Sequence, residues 1–418
     1  MLMRARLRRA VAPLRGNPHY LRFFVAGRIN TFGSTMATGA VAFTVLACGA
    51  GAPGIATVML AQMVATIVLT PILGTVADRL PRVTAMACAG GVVTVTLAVE
   101  AVLAASGRAA VWNLAVTAAV AAGAGALSGG AGAGVSRDLV PVRQLPAANA
   151  LTKLTMYAIR MVGPPVGGAV VAGAGPAAGL GANAVLTGIS VLVLRGVRVP
   201  PVRRARAGFA AETRQGWQAI TTRTWLWSHT LAGAVLVPFW HLAFFILGPA
   251  HAAAHHGGAA AWGWITAAFA AGMAAGAAVS LLAEPRRAMW VACAGSSLLA
   301  LPPVAFAVRA PLGGAMAAAA AGAGGLAMAM VAWRSAVQQQ VPADLQGRVT
   351  NYTDTVQVAA APGVYLLTGP LLAAAGATGT LLVCACVIAV AGLAPLLLRS
   401  VRCVRLVGDP DAVLSRPC

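Results

Sequence analysis

The chain has 418 residues, 59% of them hydrophobic and only 9% charged, against roughly 25% charged in soluble domains. Thirty Lys and Arg face nine Asp and Glu, a formal charge of +21. This composition excludes a soluble enzyme, a disordered scaffold and a disulfide-rich secreted module, and leaves a polytopic membrane protein.

A helix that crosses a bilayer needs about 20 apolar residues. Apolar runs broken by Gly, Pro or charge predict twelve spans: 20–47, 54–77, 83–105, 110–135, 147–172, 176–194, 225–249, 260–283, 288–308, 311–334, 351–375 and 378–398. The basic start, with Arg4, Arg6, Arg8 and Arg9, leads into a run too long for a cleaved signal, and reads as span 1. The loop at 195–224 is Arg-rich and contains Pro200 and Pro201. Its second part, Phe209 to Thr222, suits either a surface helix or a plain linker. The expected organisation is a six-span half at 1–194, a central loop at 195–224, a second half at 225–400 and a tail at 401–418. The fold class is all-α integral membrane.

Charge then sets the orientation. Of the 30 basic residues, 24 fall before span 1, in alternate loops and in the tail. The loops of the other side hold Arg108 and Arg309, and four basics lie within spans: Arg22, Arg28, Lys153 and Arg160. Cytoplasmic loops carry the excess of Lys and Arg, so both termini and the central loop are expected in the cytoplasm. Trp112, Trp225, Trp227, Trp262, Trp264, Trp290 and Trp333 fall near span ends, where an interfacial belt puts them.

The seven cysteines include no CxxC pair and most sit in apolar runs, so they read as small buried side chains. His251, His255 and His256 cluster at the outer mouth of spans 7 and 8. A solvated loop suits them better than a metal site, and no metal is expected.

The halves echo each other. Gly74, Asp78, Arg79 and Arg82 stand between spans 2 and 3; Ser280, Glu284, Arg286 and Arg287 stand between spans 8 and 9. Asp78 and Glu284 are 206 positions apart. Val140 and Pro141 recur as Val341 and Pro342, 201 apart, and Pro164 recurs as Pro362, 198 apart. A tandem duplication of about 200 residues follows, as in transporters built from repeats.

The 74–82 segment resembles the signature of the major facilitator superfamily, with Gly74, Asp78, Arg79 and Arg82 matching and Pro81 in place of the usual glycine. Gly163, Pro164, Gly167 and Gly168 are similar to a glycine- and proline-containing element of its exporters. Asn149, Ala150 and the run from Val341 to Val349, with Asp344, Gly347 and Arg348, resemble its siderophore and macrolide exporter branch. The resemblance spans about residues 18–400. It implies two six-helix halves that alternate access around a midplane cavity, with the 74–82 segment as conformational switch and Asp78 near Arg348 and Thr350. Two departures stand out: Gly33, Ser34 and Thr35 occupy the place of an acid many relatives carry in span 1, and residues 110–135 hold no charge. Proton coupling is thus implied by the resemblance alone.

Ionisable groups inside spans are rare and functional by default. Asn149, Lys153, Met156, Arg160, Pro164 and Gly167 recur at helical steps on one face of span 5. Arg160 lies about 20 Å deep at 1.5 Å per residue, facing either substrate or a structural partner. Pro164 frees a carbonyl and permits a helix bend, while the glycines around it allow close approach. Arg28 in span 1 either snorkels or lines the cavity. Glu100, towards the outer end of span 3, reads as an interfacial carboxylate. Asp354 shares a face of span 11 with Thr350 and Gln357; it either titrates or meets substrate, or it pairs with Arg348 or stands exposed. Trp240 and His241, with Phe239, Phe244 and Phe245, either line a hydrophobic cavity or pack a core.

The expected function is secondary active transport, as an efflux permease for hydrophobic or amphiphilic small molecules, with antiport against protons on the resemblance. Deep cations outnumber deep acids, which favours neutral or anionic substrates over cations. An uptake permease, or a non-transporting receptor on the same fold, is the alternative. No ATP-binding loop occurs and no enzyme or cofactor is expected. The expected partners are a small-molecule substrate and the lipid bilayer, with no nucleic acid, and the chain is expected to work as a plasma-membrane monomer.

Overall fold

The computed structural model describes residues 14, 16–77, 80–128, 131–199, 220–282 and 287–404. These residues are helical with no strand among them. Among them, ten helices are long and apolar enough to cross a membrane. Span 1 is Pro18–Ala47, span 2 Gly51–Ala77, span 3 Arg82–Ala105 and span 4 Val111–Ser128. Span 7 is Thr224–His255, span 8 Ala259–Leu282, span 9 Ala288–Ala307, span 10 Leu312–Gln340 and span 12 lies in Thr368–Leu397.

Two of the expected twelve are hidden by continuity. The stretch Leu145–Arg195 runs 51 residues, about 77 Å as one straight helix, more than twice the roughly 30 Å bilayer core. It is two spans joined at Gly175, whose φ of 81° and ψ of 166° leave the helical region. A Cβ on Gly179 would lie 2.9 Å from Val171, eight residues back, which only a doubled-back chain allows. Span 11 is the broken run Ala343–Ala359, Ala361–Leu366 and the first turns of Thr368–Leu393, ended by Gly376 at φ 66°. Its polar start, from Asp344 to Gln357, keeps it outside a simple length and hydropathy criterion.

The turns recur at similar spacing. Gly49, Gly51, Gly107, Gly175, Gly257, Gly258 and Gly376 have positive φ, as does Arg309. All lie in turns on the side opposite the basic loops. Gly107 and Arg309 are 202 positions apart, and Gly175 and Gly376 are 201 apart. At the end of span 3, Gly107 N–H donates to Ala104 O and Arg108 N–H to Leu103 O, at 3.3 and 2.9 Å. At the end of span 9, Arg309 N–H donates to Phe306 O and Ala310 N–H to Ala305 O, at 3.1 and 2.9 Å. Both are Schellman motifs, which close orphaned carbonyls with a left-handed residue that is usually glycine.

The chain forms two compact units. One comprises Met1–Arg203 with Ala252–Ala267, the other Arg204–His251 with Ala268–Cys418. In the first, an apolar core gathers Tyr20, Ala26, Val135, Leu139, Ala148 and Leu194. Asn17 caps span 1 by accepting from His19 and Tyr20 N–H and donates to Leu139 O. Arg22 donates to Gly196 O at 3.0 Å, so its charge sits at the membrane edge and closes the end of span 6. In the second unit, a core joins Trp225, Leu226, Met289, Cys293, Trp333 and Val349.

Two expectations fail here. Trp112, Trp227, Trp264 and Trp290 are exposed as a belt requires, but Trp225, Trp262 and Trp333 are buried. Trp225 and Trp333 meet edge to face at 5.5 Å, because packing between helices won over the interface. Glu100 faces a neighbouring helix instead of the surroundings: it is 4% exposed and accepts from Thr117 Oγ1 of span 4 at 2.5 Å. The helical stagger turned this carboxyl inward, which a depth count along the sequence does not show. The loop segment 209–222 lies outside the described residues except for 220–222.

Candidate functional site

The 74–82 segment begins near the end of span 2, with Gly74 in the helix Gly51–Ala77. Asp78 and Arg79 lie outside the described residues, as do Glu284 and Arg286. Arg82, the first residue of span 3, pairs with Asp138 through Nη1 and Oδ2 at 2.5 Å. Asp138 belongs to the short helix Ala131–Leu139 that follows span 4. Both side chains are mostly buried, so the pair holds span 3 against that helix in weak solvent screening. The sequence carried a hint, since Arg137 and Asp138 form an acid–base couple beside Val140 and Pro141. Arg348 lies in Ala343–Ala359, where it is half-buried and partnered.

Span 5 separates along its length. Asn149, Lys153 and Arg160 in its first part are exposed, and Met156 is half-buried. Gly163, Gly167 and Gly168 further on are buried, as is Ala148. In the packed part the glycines admit backbone. A Cβ on Gly163 would overlap Thr35 Oγ1, one on Gly167 the Met36 carbonyl, and one on Gly168 would lie 2.5 Å from Ala259 O. The segment expected to bend the helix keeps helical dihedrals, and the non-helical residue is Gly175. Its geometry is therefore that of close approach, as small residues provide in membranes.

Arg28 neither snorkels nor points freely into water. Its Nη1 donates to Thr152 O at 3.0 Å and reaches Thr155 Oγ1 at 3.4 Å. Its guanidinium lies 5.4 Å over the Phe24 ring. These contacts tie span 1 to span 5 one turn from Lys153. Exposed Lys153 and Arg160 are the cations left in that part of span 5.

The second unit contributes polar and aromatic groups on spans 7 and 11. His241 Nδ1 lies 3.0 Å from Tyr365 Oη, a pair that sequence reasoning missed. Tyr365 falls on helical steps from Asp354 and Ala361, so a face count would have reached it. Thr230 and Thr353 hydroxyls meet at 3.2 Å. A Cβ on Gly233 would overlap Gln357, so Gln357 packs flat on span 7. Asp354 is exposed.

Trp240 is a correction to the cavity-lining alternative. It is 5% exposed and stacks on Phe244 at 4.5 Å and on Phe269 at 5.5 Å. Offset ring packing of this kind is core energetics. His229, also missed, stacks on Trp333 at 4.2 Å. His251 stacks on Phe306 at 5.1 Å, and among the described residues no His, Cys, Asp or Glu cluster could hold a metal.

Span 5 thus carries two exposed cations, Lys153 and Arg160, on an otherwise apolar helix. Residues 23–364 match the family model described as Major Facilitator Superfamily. The chain belongs to the major facilitator superfamily. No curated protein matches it in sequence. Solved structures of similar fold include a bacterial homolog to the human lysosomal transporter Spinster, inward-facing and occupied. It is 14% identical with TM-score 0.70, covering 92% of this chain and 97% of that one. A bacterial homologue of the iron transporter ferroportin is 16% identical with TM-score 0.68, covering 90% and 98%. A D-xylose–proton symporter is 12% identical with TM-score 0.65, covering 90% and 96%. At such identities the likeness is one of fold. Family and fold together make this superfamily member a multi-pass membrane protein of transporter type rather than an enzyme.

Proposed function

We propose that this member of the superfamily is an efflux permease for neutral or anionic amphiphiles. It sits in the plasma membrane with both termini cytoplasmic and works as a monomer by alternating access, with proton antiport as its energy source. The observation that carries the substrate class is the exposed pair Lys153 and Arg160 on span 5. A cation facing lipid at that depth is costly, so the pair needs water or an anionic group opposite it. Arg28, held by Thr152 and Thr155 beside them, adds a third positive charge to that end of the bundle.

Direction is supported by the exporter-like segment Gly163 to Gly168, and orientation by the one-sided distribution of 24 basic residues. Asp78, Arg79, Arg82 and Arg348 are proposed to bias the two-state rocking equilibrium. Gly163, Pro164, Gly167 and Gly168 are proposed to give the close seam on which span 5 moves. His241, Gln357 and Asp354 are proposed as the polar contacts of the second half.

The test is growth of an efflux-deficient bacterium expressing the chain, across dyes, macrolides and siderophore-like compounds of different charge. The expected result is protection against neutral or anionic compounds, lost in Asp78→Asn at equal membrane level. Protection against none of them would move the function to uptake or to a non-transport role.

A further inference from the structure

Spans 7 and 12 of the second unit leave an apolar groove of about 510 Å³ between them. Trp227, Leu231 and Val235 form one wall and Cys386, Val390 and Leu398 the other. These are not core positions: Leu231 is 58% exposed and Val390 67%. Along span 7 the groove runs from 227 to 235, about 12 Å at 1.5 Å per residue. That is close to the roughly 15 Å depth of one leaflet, half of a 30 Å hydrocarbon core.

The two helices run in opposite directions, so the Trp227 end meets the Leu398 end. Among the described residues that flank the groove at that end, the charged ones are arginines. Arg223 precedes Trp227 by one turn, and exposed Arg399 and Arg402 lie on the short helix that follows Leu398. No acid occurs between Pro395 and Val404. Trp227, itself exposed, has the amphipathic ring that sits at headgroup level.

We propose that this groove binds an anionic phospholipid of the surrounding bilayer. One acyl chain lies along Leu231, Val235 and Val390, and the phosphate is held by Arg223, Arg399 and Arg402. Guanidinium groups match phosphate oxygens in paired, charge-assisted hydrogen bonds. An apolar trough with such a cluster at one mouth fits a phosphorylated lipid better than a free anion or a neutral hydrophobe. The proposal needs spans 7 and 12 to cross the bilayer; it does not depend on the direction or substrate of transport.

The test is native mass spectrometry of the full chain released from detergent with phosphatidylglycerol or phosphatidylcholine added. The parent should retain phosphatidylglycerol preferentially, by about fivefold for each arginine engaged. The double variant Arg399→Gln with Arg402→Gln should lose that preference. Leu231→Trp, which fills the groove at an exposed position, should lower retention of both lipids. Arg137→Gln with Arg287→Gln removes equal charge from exposed sites elsewhere and should leave the preference intact. Equal retention of both lipids by the parent would overturn the proposal. So would an equal loss in the two double-arginine variants, which would make the effect one of net charge.

Discussion

Arg82 Nη1 and Asp138 Oδ2 lie 2.5 Å apart, joining the start of span 3 to the helix that leaves span 4. The arginine belongs to the segment that resembles the superfamily's signature, and its partner lies 56 residues further on. A charge pair this well buried is costly to break from one side, because the survivor stays desolvated.

Asp138→Asn should therefore lower the stability of the purified protein by about 1.5–3 kcal/mol, the range for hydrogen bonds to charged groups. A double-mutant cycle with Arg82→Gln should show coupling of about 1 kcal/mol. Thermal unfolding in detergent checks both; additive losses would mean that the pair carries no energy of its own.

Arg309 occupies a left-handed position that glycine fills at Gly107 in the first half. An L side chain there costs about 1–2 kcal/mol. Arg309→Gly should raise the melting temperature, and Gly107→Ala should lower it by a similar amount. An unchanged melting temperature in both would remove the repeated turn as a stability element.

Gly167 has no room for a side chain, because a Cβ would overlap the Met36 carbonyl, whereas one on Gly27 would meet nothing. Gly167→Ala should sharply reduce folded protein in the membrane, since backbone on both helices must shift. Gly27→Ala should be neutral or slightly stabilising, as alanine is the better helix former. Size-exclusion profiles of the two variants separate the outcomes.

Glu100 Oε1 accepts from Thr117, while Oε2 is buried with no partner. Glu100→Gln keeps the acceptor and should melt close to the parent. Glu100→Leu removes this hydrogen bond, leaving Thr117 Oγ1 to its backbone acceptors Asn113 O and Leu114 O, and should cost about 1 kcal/mol. Thermal melting again decides, and a large loss in the glutamine variant would assign the carboxylate charge itself a structural role.

Much of this architecture was legible before any coordinates. Composition pointed to the membrane and the apolar runs to its spanning helices, while echoes 198 to 206 residues apart led to the reading of two halves. The break expected between spans 5 and 6, at 173–175, falls at Gly175, whose φ is 81°. Period alone could not rank polar residues by face. Glu100 turned inward on Thr117, Trp240 turned into a ring stack, and Arg28 was taken up by Thr152. Lys153 and Arg160 stayed exposed. Side-chain partners come from the packing of helices distant in sequence, and those pairings leave no periodic trace.

The central claim is outward movement of neutral or anionic amphiphiles past the span-5 cations. Everted membrane vesicles, energised and offered neutral, anionic and cationic dyes, test it most directly. The account predicts inward accumulation of a neutral or anionic dye in these inside-out vesicles. With Arg160→Gln at equal abundance it predicts a fall of about tenfold, the equivalent of 1.4 kcal/mol. Accumulation only in right-side-out vesicles, or undiminished flux in Arg160→Gln, would contradict it.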